Sequence, residues 1–105
     1  MIQHIVFCEL KPDVDAAILE SLVRNSRSFL LKIPEVLSVR SGRNVDPTDS
    51  KPFFYSFEVE SLDRLQIVID DPHYLKFVEK FIRPNTTARQ DLSFELDPSK
   101  PLRYS

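Results

Sequence analysis

Few side chains in this chain of 105 residues can do acid–base or nucleophilic chemistry near neutral pH. They are two histidines and one cysteine, with three tyrosines able to donate hydrogen bonds. His4 lies in the run IQHIVFCEL, where it alternates with Val6 and Cys8, so the three share one face of an extended segment. A histidine on an apolar strand face is either a hydrogen-bonded core residue or, with a carboxylate alongside, half of a proton-transfer pair. Cys8 has no sequence neighbour that would lower its thiol pKa and reads as a buried structural cysteine. His73 falls just inside a helix start, with Lys76 and Lys80 continuing its polar face, and reads as a surface residue. Tyr74 beside it turns inward with Phe77, carrying a hydroxyl that needs a partner, and Tyr55 has the same ambiguity on a strand. Each of these tyrosines is either an anchor or a hydrogen-bond donor to a bound molecule.

The same inventory excludes several chemistries. Two histidines separated by most of the chain do not make a metal motif, and one cysteine allows neither a cysteine-based metal cluster nor a disulfide within these residues. The single glycine, Gly42, rules out a glycine-rich phosphate cradle, so neither a metal nor a cofactor is expected. Net charge is −2 with the positive residues scattered among acidic ones, which argues against a nucleic-acid partner. Arg40 and Arg43 read equally well as solvated strand-end charges or as a meeting point for an anion. The segment after Met1 shows neither a charged leader with an apolar run nor a membrane span, so no membrane association is expected and a cytoplasmic location is the default.

Elements that would position these side chains follow from periodicity and breakers. Ile2 to Leu10 is a strand that Pro12 ends, and Asp13 or Asp15 then caps a helix carrying Ile18, Leu22, Phe29 and Ile33 to the KIP segment. Val36 to Val45 is a second strand, Asp46 to Pro52 a polar loop, and Phe53 to Val59 a third strand with Phe53, Tyr55, Phe57 and Val59 alternating. Ser61 caps a short helix through Ile69. Asp71-Pro72 then opens another, with Tyr74, Phe77, Val78 and Phe81 on one face, closed by Pro84. Asp91 to Leu96 is the last strand. The domain spans 1–97, and 98–105 is a tail.

The order β-α-β-β-α-β is the split arrangement of ferredoxin-like α+β folds, with a four-stranded antiparallel sheet. Two helical segments cover one sheet face only, yet Ile5, Phe7 and Phe54 load the other face with apolar surface. A homodimer packed sheet on sheet, forming an α/β barrel, is the simplest closed solution.

HIVFCELKPDVD, IPEVLSVRSGRNV and DPHYLKFVEKF, in this order and spacing, resemble the stress-responsive α/β-barrel (Dabb) family across Ile2 to about Leu96. The resemblance implies a homodimeric barrel inside the cell. It also implies a site between sheet and helices; a plant cyclase of the family closes a polyketide ring there by proton transfer, without cofactor or metal. The family's first-strand histidine falls on His4 and its last-strand carboxylate on Glu95. Its helix histidine, in an HPxH pattern, falls on Tyr74, because this chain reads DPHY, and its catalytic tyrosine falls on Val68. With two acid–base groups replaced, that particular cyclisation is not expected.

First and last strands are neighbours in this fold, so Glu95 or Ser93 is placed within reach of His4, and a His4–Glu95 pair is the expected proton-transfer unit. Alternation alone would turn Leu92, Phe94 and Leu96 toward the helices. The resemblance instead turns Ser93 and Glu95 that way, and it is followed here. The expected pocket is lined by His4, Val6, Cys8, Tyr55, Phe57, Tyr74, Phe77, Ser93 and Glu95, with His4 as base and Tyr74 as donor. Its expected occupant is a small apolar or aromatic molecule, bound with or without acid–base catalysis of a cyclase or lyase kind. The alternatives are a non-catalytic stress or assembly protein whose pocket is packed core, and, more distantly, a cofactor-free monooxygenase.

Overall fold

Strand β1, Ile2–Leu10, buries alternate residues Ile2, His4, Val6 and Cys8, and everything else is arranged around it. The computed structural model describes residues 1–97, and the expected tail at 98–105 lies outside the described residues. Helix α1, Ala16–Leu30, starts where the Asp15 carboxylate accepts from the Ile18 amide at 2.8 Å, satisfying one of the donors a helix start leaves free. It buries Leu22, Ser26 and Leu30, while Ile18, expected on this face, stays at its exposed rim. Leu31 to Ile33 form a closing turn rather than more helix, with the Ile33 amide donating to the Leu30 carbonyl at 3.1 Å. Ser26 lies in the core without penalty because its hydroxyl donates to the Val23 carbonyl at 2.7 Å.

Strand β2, Ser38–Arg43, is shorter than expected and pairs with β3, Phe53–Val59. Gly42 faces the Phe54 ring so closely that a Cβ there would stand 3.3 Å from a ring carbon, so glycine suits this position by its size. The sheet order is β2-β3-β1-β4, four strands with every neighbouring pair antiparallel. Strand β4, Thr86–Glu95, begins five residues before the expected Asp91 and pairs with the whole of β1.

Ser61 caps α2, Leu62–Asp70, and Asp71 caps α3, Pro72–Phe77, its carboxylate accepting from the His73 amide at 2.8 Å. Beyond α3 the chain does not stop at a clean end. It widens into a π turn over Val78–Ile82 and tightens into a 3-10 turn, Arg83–Asn85, which contains Pro84. The helices lie on the face of Val6 and Cys8, and the core there is dominated by Phe53, Tyr55, Phe57, Phe77, Leu22 and Leu30. Burying each such side chain contributes about 1.5–3 kcal/mol relative to exposure. The opposite sheet face presents Ile5, Phe7, Phe54 and Leu92 half-buried, and Phe94 51% exposed.

Candidate functional site

Register decides which polar groups meet His4. Across β3 it faces Phe57, whose ring lies 5.2 Å from the imidazole; across β4 it faces Ser93. The helix-side face of β4 therefore carries Arg89, Asp91, Ser93 and Glu95, opposite Cys8, Val6, His4 and Ile2 respectively. Ser93 and Glu95 thus lie on the helix side, and Leu92 and Phe94 point to the other face.

His4 is 4% exposed. Its Nδ1 lies 2.8 Å from Ser93 Oγ, and its Nε2, which has no hydrogen-bond partner closer, lies 3.5 Å from Asp91 Oδ2. A carboxylate facing Nε2 favours the tautomer with its proton there, which leaves Nδ1 as acceptor and makes the Ser93 hydroxyl the donor. The nearby His4 imidazole holds the Asp91 carboxyl below its ordinary value against the opposing effect of burial, and Arg89, with Nε 3.4 Å from Asp91 Oδ1, adds to the lowering. Burial works to lower the Arg89 pKa, but the acidic groups it faces, with the Asp91 carboxylate the one that is charged, outweigh it and raise it, so this cation is firmly charged. The carboxylate that meets His4 is Asp91, not the expected Glu95. Glu95 stands opposite Ile2, at the next inward position beyond Ser93, and lines a separate groove with Ile2, Glu60, Ser61 and Asp63.

The two inward tyrosines find each other. Tyr55 and Tyr74 hydroxyls are 2.9 Å apart, with Phe77 edge-on to Tyr55 at 5.2 Å and Phe57 edge-on to Tyr74 at 6.0 Å. Burial pushes both phenols above their usual range, Tyr55 well above it, so both are protonated donors. Only one O–H is used between them, which leaves the other hydrogen to donate elsewhere. Burial likewise pushes the Cys8 thiol up to about 12, so it is a neutral packing group. Val68, on α2, is fully buried and carries no proton chemistry. His73 is exposed, with Nδ1 3.1 Å from the Asp71 carboxylate that caps its helix.

Val6, Cys8, Tyr55, Phe57 and Phe77 each have no exposed surface, so they pack as core where a pocket was expected. Space opens beside them, along the edge of the sheet, in a groove of about 210 Å³ lined by Val78, Ile82, Arg83, Thr86 and Arg89. Larger grooves, of about 440 and 650 Å³, lie at the loop between β2 and β3, where Arg43 lines both, away from the His4 cluster. Among the described residues no group of three His, Cys, Asp or Glu is placed to hold a metal ion. None of their helices is long and apolar enough to cross a membrane.

Asp91 and Arg89 are the functional-type residues that sequence reasoning missed. Thr86 to Gln90 is polar and lacks strand alternation, so the sequence pattern starts the last strand only at Asp91. A signal was available in the length of β1: a central strand of nine residues with a buried inner face needs a neighbour of similar length, which places the start of β4 near Thr86.

A four-stranded antiparallel sheet backed by helices on one face, with a polar cluster at the β1–β4 seam, defines a ferredoxin-like α+β protein. The sequence matches the stress responsive A/B barrel domain family over residues 2–95, and the chain belongs to that family. Among solved structures it is similar to a dimeric ferredoxin-like protein from Thermobifida fusca, with 19% identity, TM-score 0.80, and 90% of each chain covered. It is also similar to a hydroxynitrile lyase from Passiflora edulis (18% identity, TM-score 0.79, covering 95% of this chain and 96% of that one). A third is a putative antibiotic biosynthesis monooxygenase from Nitrosomonas europaea (16% identity, TM-score 0.72, covering 90% of this chain and 97% of that one). At these identities the likeness is one of fold. A search of curated proteins finds no match.

Proposed function

We propose that the protein is a cytoplasmic homodimer that binds a small, mostly apolar or aromatic molecule along the helix-side face of β4. On that molecule it performs cofactor-free proton transfer. The observation that carries this reading is the buried His4 imidazole, held at 2.8 Å by Ser93 and backed at 3.5 Å by Asp91. An imidazole between a hydroxyl and a carboxylate is suited to relay a proton, because the carboxylate orients the ring toward the hydroxyl. Ser93 is the exposed end of this chain of contacts, so protons pass between His4 and a ligand through its hydroxyl. Arg89 and Arg83 line the groove and favour a ligand with an anionic or carbonyl oxygen. The homodimer rests on the apolar sheet face and on the family; the absence of a nucleic-acid partner rests on the net charge of −2.

A second reading, a non-catalytic stress or assembly protein, is favoured by the filled aromatic layer. Native mass spectrometry of gently purified protein, followed by amide chemical-shift mapping with benzaldehyde as an aromatic carbonyl probe, separates the two. A dimer with shifts clustered at Thr86, Arg89, Asp91 and Ser93 supports the proposal. Shifts confined to the β2–β3 loop, or none at all, would move the assignment to the structural role.

A further inference from the structure

We infer that Ser93, His4 and Asp91 form a nucleophilic relay, in which Ser93 accepts an acyl group from a carboxylic ester of a small acid and an apolar or aromatic alcohol. The inference rests on the reading of His4 as a base and goes beyond it by making Ser93 a covalent participant.

Three conditions make a serine hydroxyl nucleophilic, and geometry meets each. A base must hydrogen-bond to it: His4 Nδ1 is 2.8 Å from Ser93 Oγ. The base must be oriented and its charged form supported: Asp91 Oδ2 is 3.5 Å from Nε2 on the far side of the ring. The nucleophile must be reachable: Ser93 is exposed on an edge strand, while the base behind it is 4% exposed. The strand itself sets this spacing. Asp91 and Ser93 are consecutive residues on one face of β4, roughly 6.7 Å apart; His4 stands opposite Ser93 on β1, and its ring turns one nitrogen toward Ser93 and the other toward Asp91. The roles of the two nitrogens are exchanged relative to the common serine-hydrolase arrangement, which the in-plane lone pair on either nitrogen permits. Asp91 reaches the imidazole on one oxygen and Arg89 on the other, not the reacting atoms, and is a positioning residue.

The step balances as an acyl transfer. Ser93 Oγ bonds to the carbonyl carbon as its proton moves to His4 Nδ1. The carbon–oxygen bond to the alcohol then breaks, its electron pair leaving on the alcohol oxygen, which takes the proton back from His4. Water repeats the sequence on the acyl-serine, releasing the acid and restoring the hydroxyl.

The test uses p-nitrophenyl acetate with the intact dimer, read by whole-protein mass and peptide mapping. Wild type should gain one acetyl per chain, on Ser93, while Ser93→Ala gains none. His4→Gln should slow Ser93 acetylation about a hundred-fold, the lower end for general-base assistance. Asp91→Asn should slow it less and displace its pH profile, which a purely structural carboxylate would not do. Because a His4 variant can fail to fold, the pH dependence of Ser93 labelling by diisopropyl fluorophosphate in wild type supplies the same information without substitution: a single protonation step is expected. No label on Ser93, or a rate unchanged in folded His4→Gln, overturns the relay. Benzaldehyde binding with an inert Ser93 ends the relay and leaves the binding proposal standing; an acylated Ser93 without benzaldehyde binding does the reverse.

Discussion

Tyr55→Phe deletes one hydroxyl from the aromatic layer and leaves every ring contact in place. The Tyr74 hydroxyl then loses its 2.9 Å partner in a residue that is 3% exposed, and a buried hydroxyl left unsatisfied costs about 1–3 kcal/mol. Tyr74→Phe does the converse to Tyr55, which has no exposed surface, so its cost falls in the upper part of that range. The double variant removes both hydroxyls and leaves no orphan. It forfeits only the net value of one hydrogen bond, about 1 kcal/mol. The cycle should therefore be strongly non-additive, the double variant being less destabilised than the sum of the singles by about 2–5 kcal/mol. Urea unfolding followed by circular dichroism, at one protein concentration because the stability of the proposed dimer would depend on it, measures all four corners. Additivity would refute the reasoning, since it would mean that each freed hydroxyl finds water and that the layer between sheet and helices is wet.

Phe94→Glu, placing a charge on the uncovered sheet face, should yield a folded monomer by light scattering; a surviving dimer would mean that this face is not the contact. Cys8, with its thiol pushed to about 12 and no exposed surface, should resist iodoacetamide in native buffer and react only in denaturant, as intact mass will show. Asp91 has a folded-state pKa below its unfolded value, so its contribution is present above about pH 4 and is lost as pH falls through the depressed value. Asp91→Asn should accordingly flatten the acid limb of stability below about pH 4, and unfolding midpoints along that limb that match wild type would contradict the His4 contact.

How much of this was legible depended on which residues spoke. Alternation in IQHIVFCEL and FFYSFEV marked β1 and β3, and Asp71-Pro72 marked the start of α3, because burial and capping each leave a local signature. The β4 register was not local. Thr86 to Gln90 is polar because the helix-side face of that edge strand is left uncovered, so no alternation announces it. The expected His4–Glu95 pair came from knowing that the strands were neighbours without knowing where β4 begins. Pairing along all of β1 puts Ser93 opposite His4 and Asp91 one inward position earlier. The π turn at Val78–Ile82 likewise left no mark in the helical periodicity of Tyr74, Phe77, Val78 and Phe81.

Strand β4 has a further consequence, for how such a chain can change over time. It carries two instructions by parity: positions 89, 91, 93 and 95 hold polar chemistry, and 92 and 94 hold apolar surface on the face the helices leave uncovered. A one-residue insertion or deletion within the strand would flip both at once, sending Leu92 and Phe94 toward the helices and Asp91 and Ser93 outward. Point substitutions, by contrast, can rewrite one instruction and leave the other untouched. The β1–β4 ladder already contains a register break, between Glu9 and Leu10, where Thr87 is the unpaired residue. That break lies ahead of Arg89, so length can vary there while the parity of everything after it is preserved. A lineage built on this strand can retune its reagents without renegotiating its assembly, provided its gains and losses of length stay at that end.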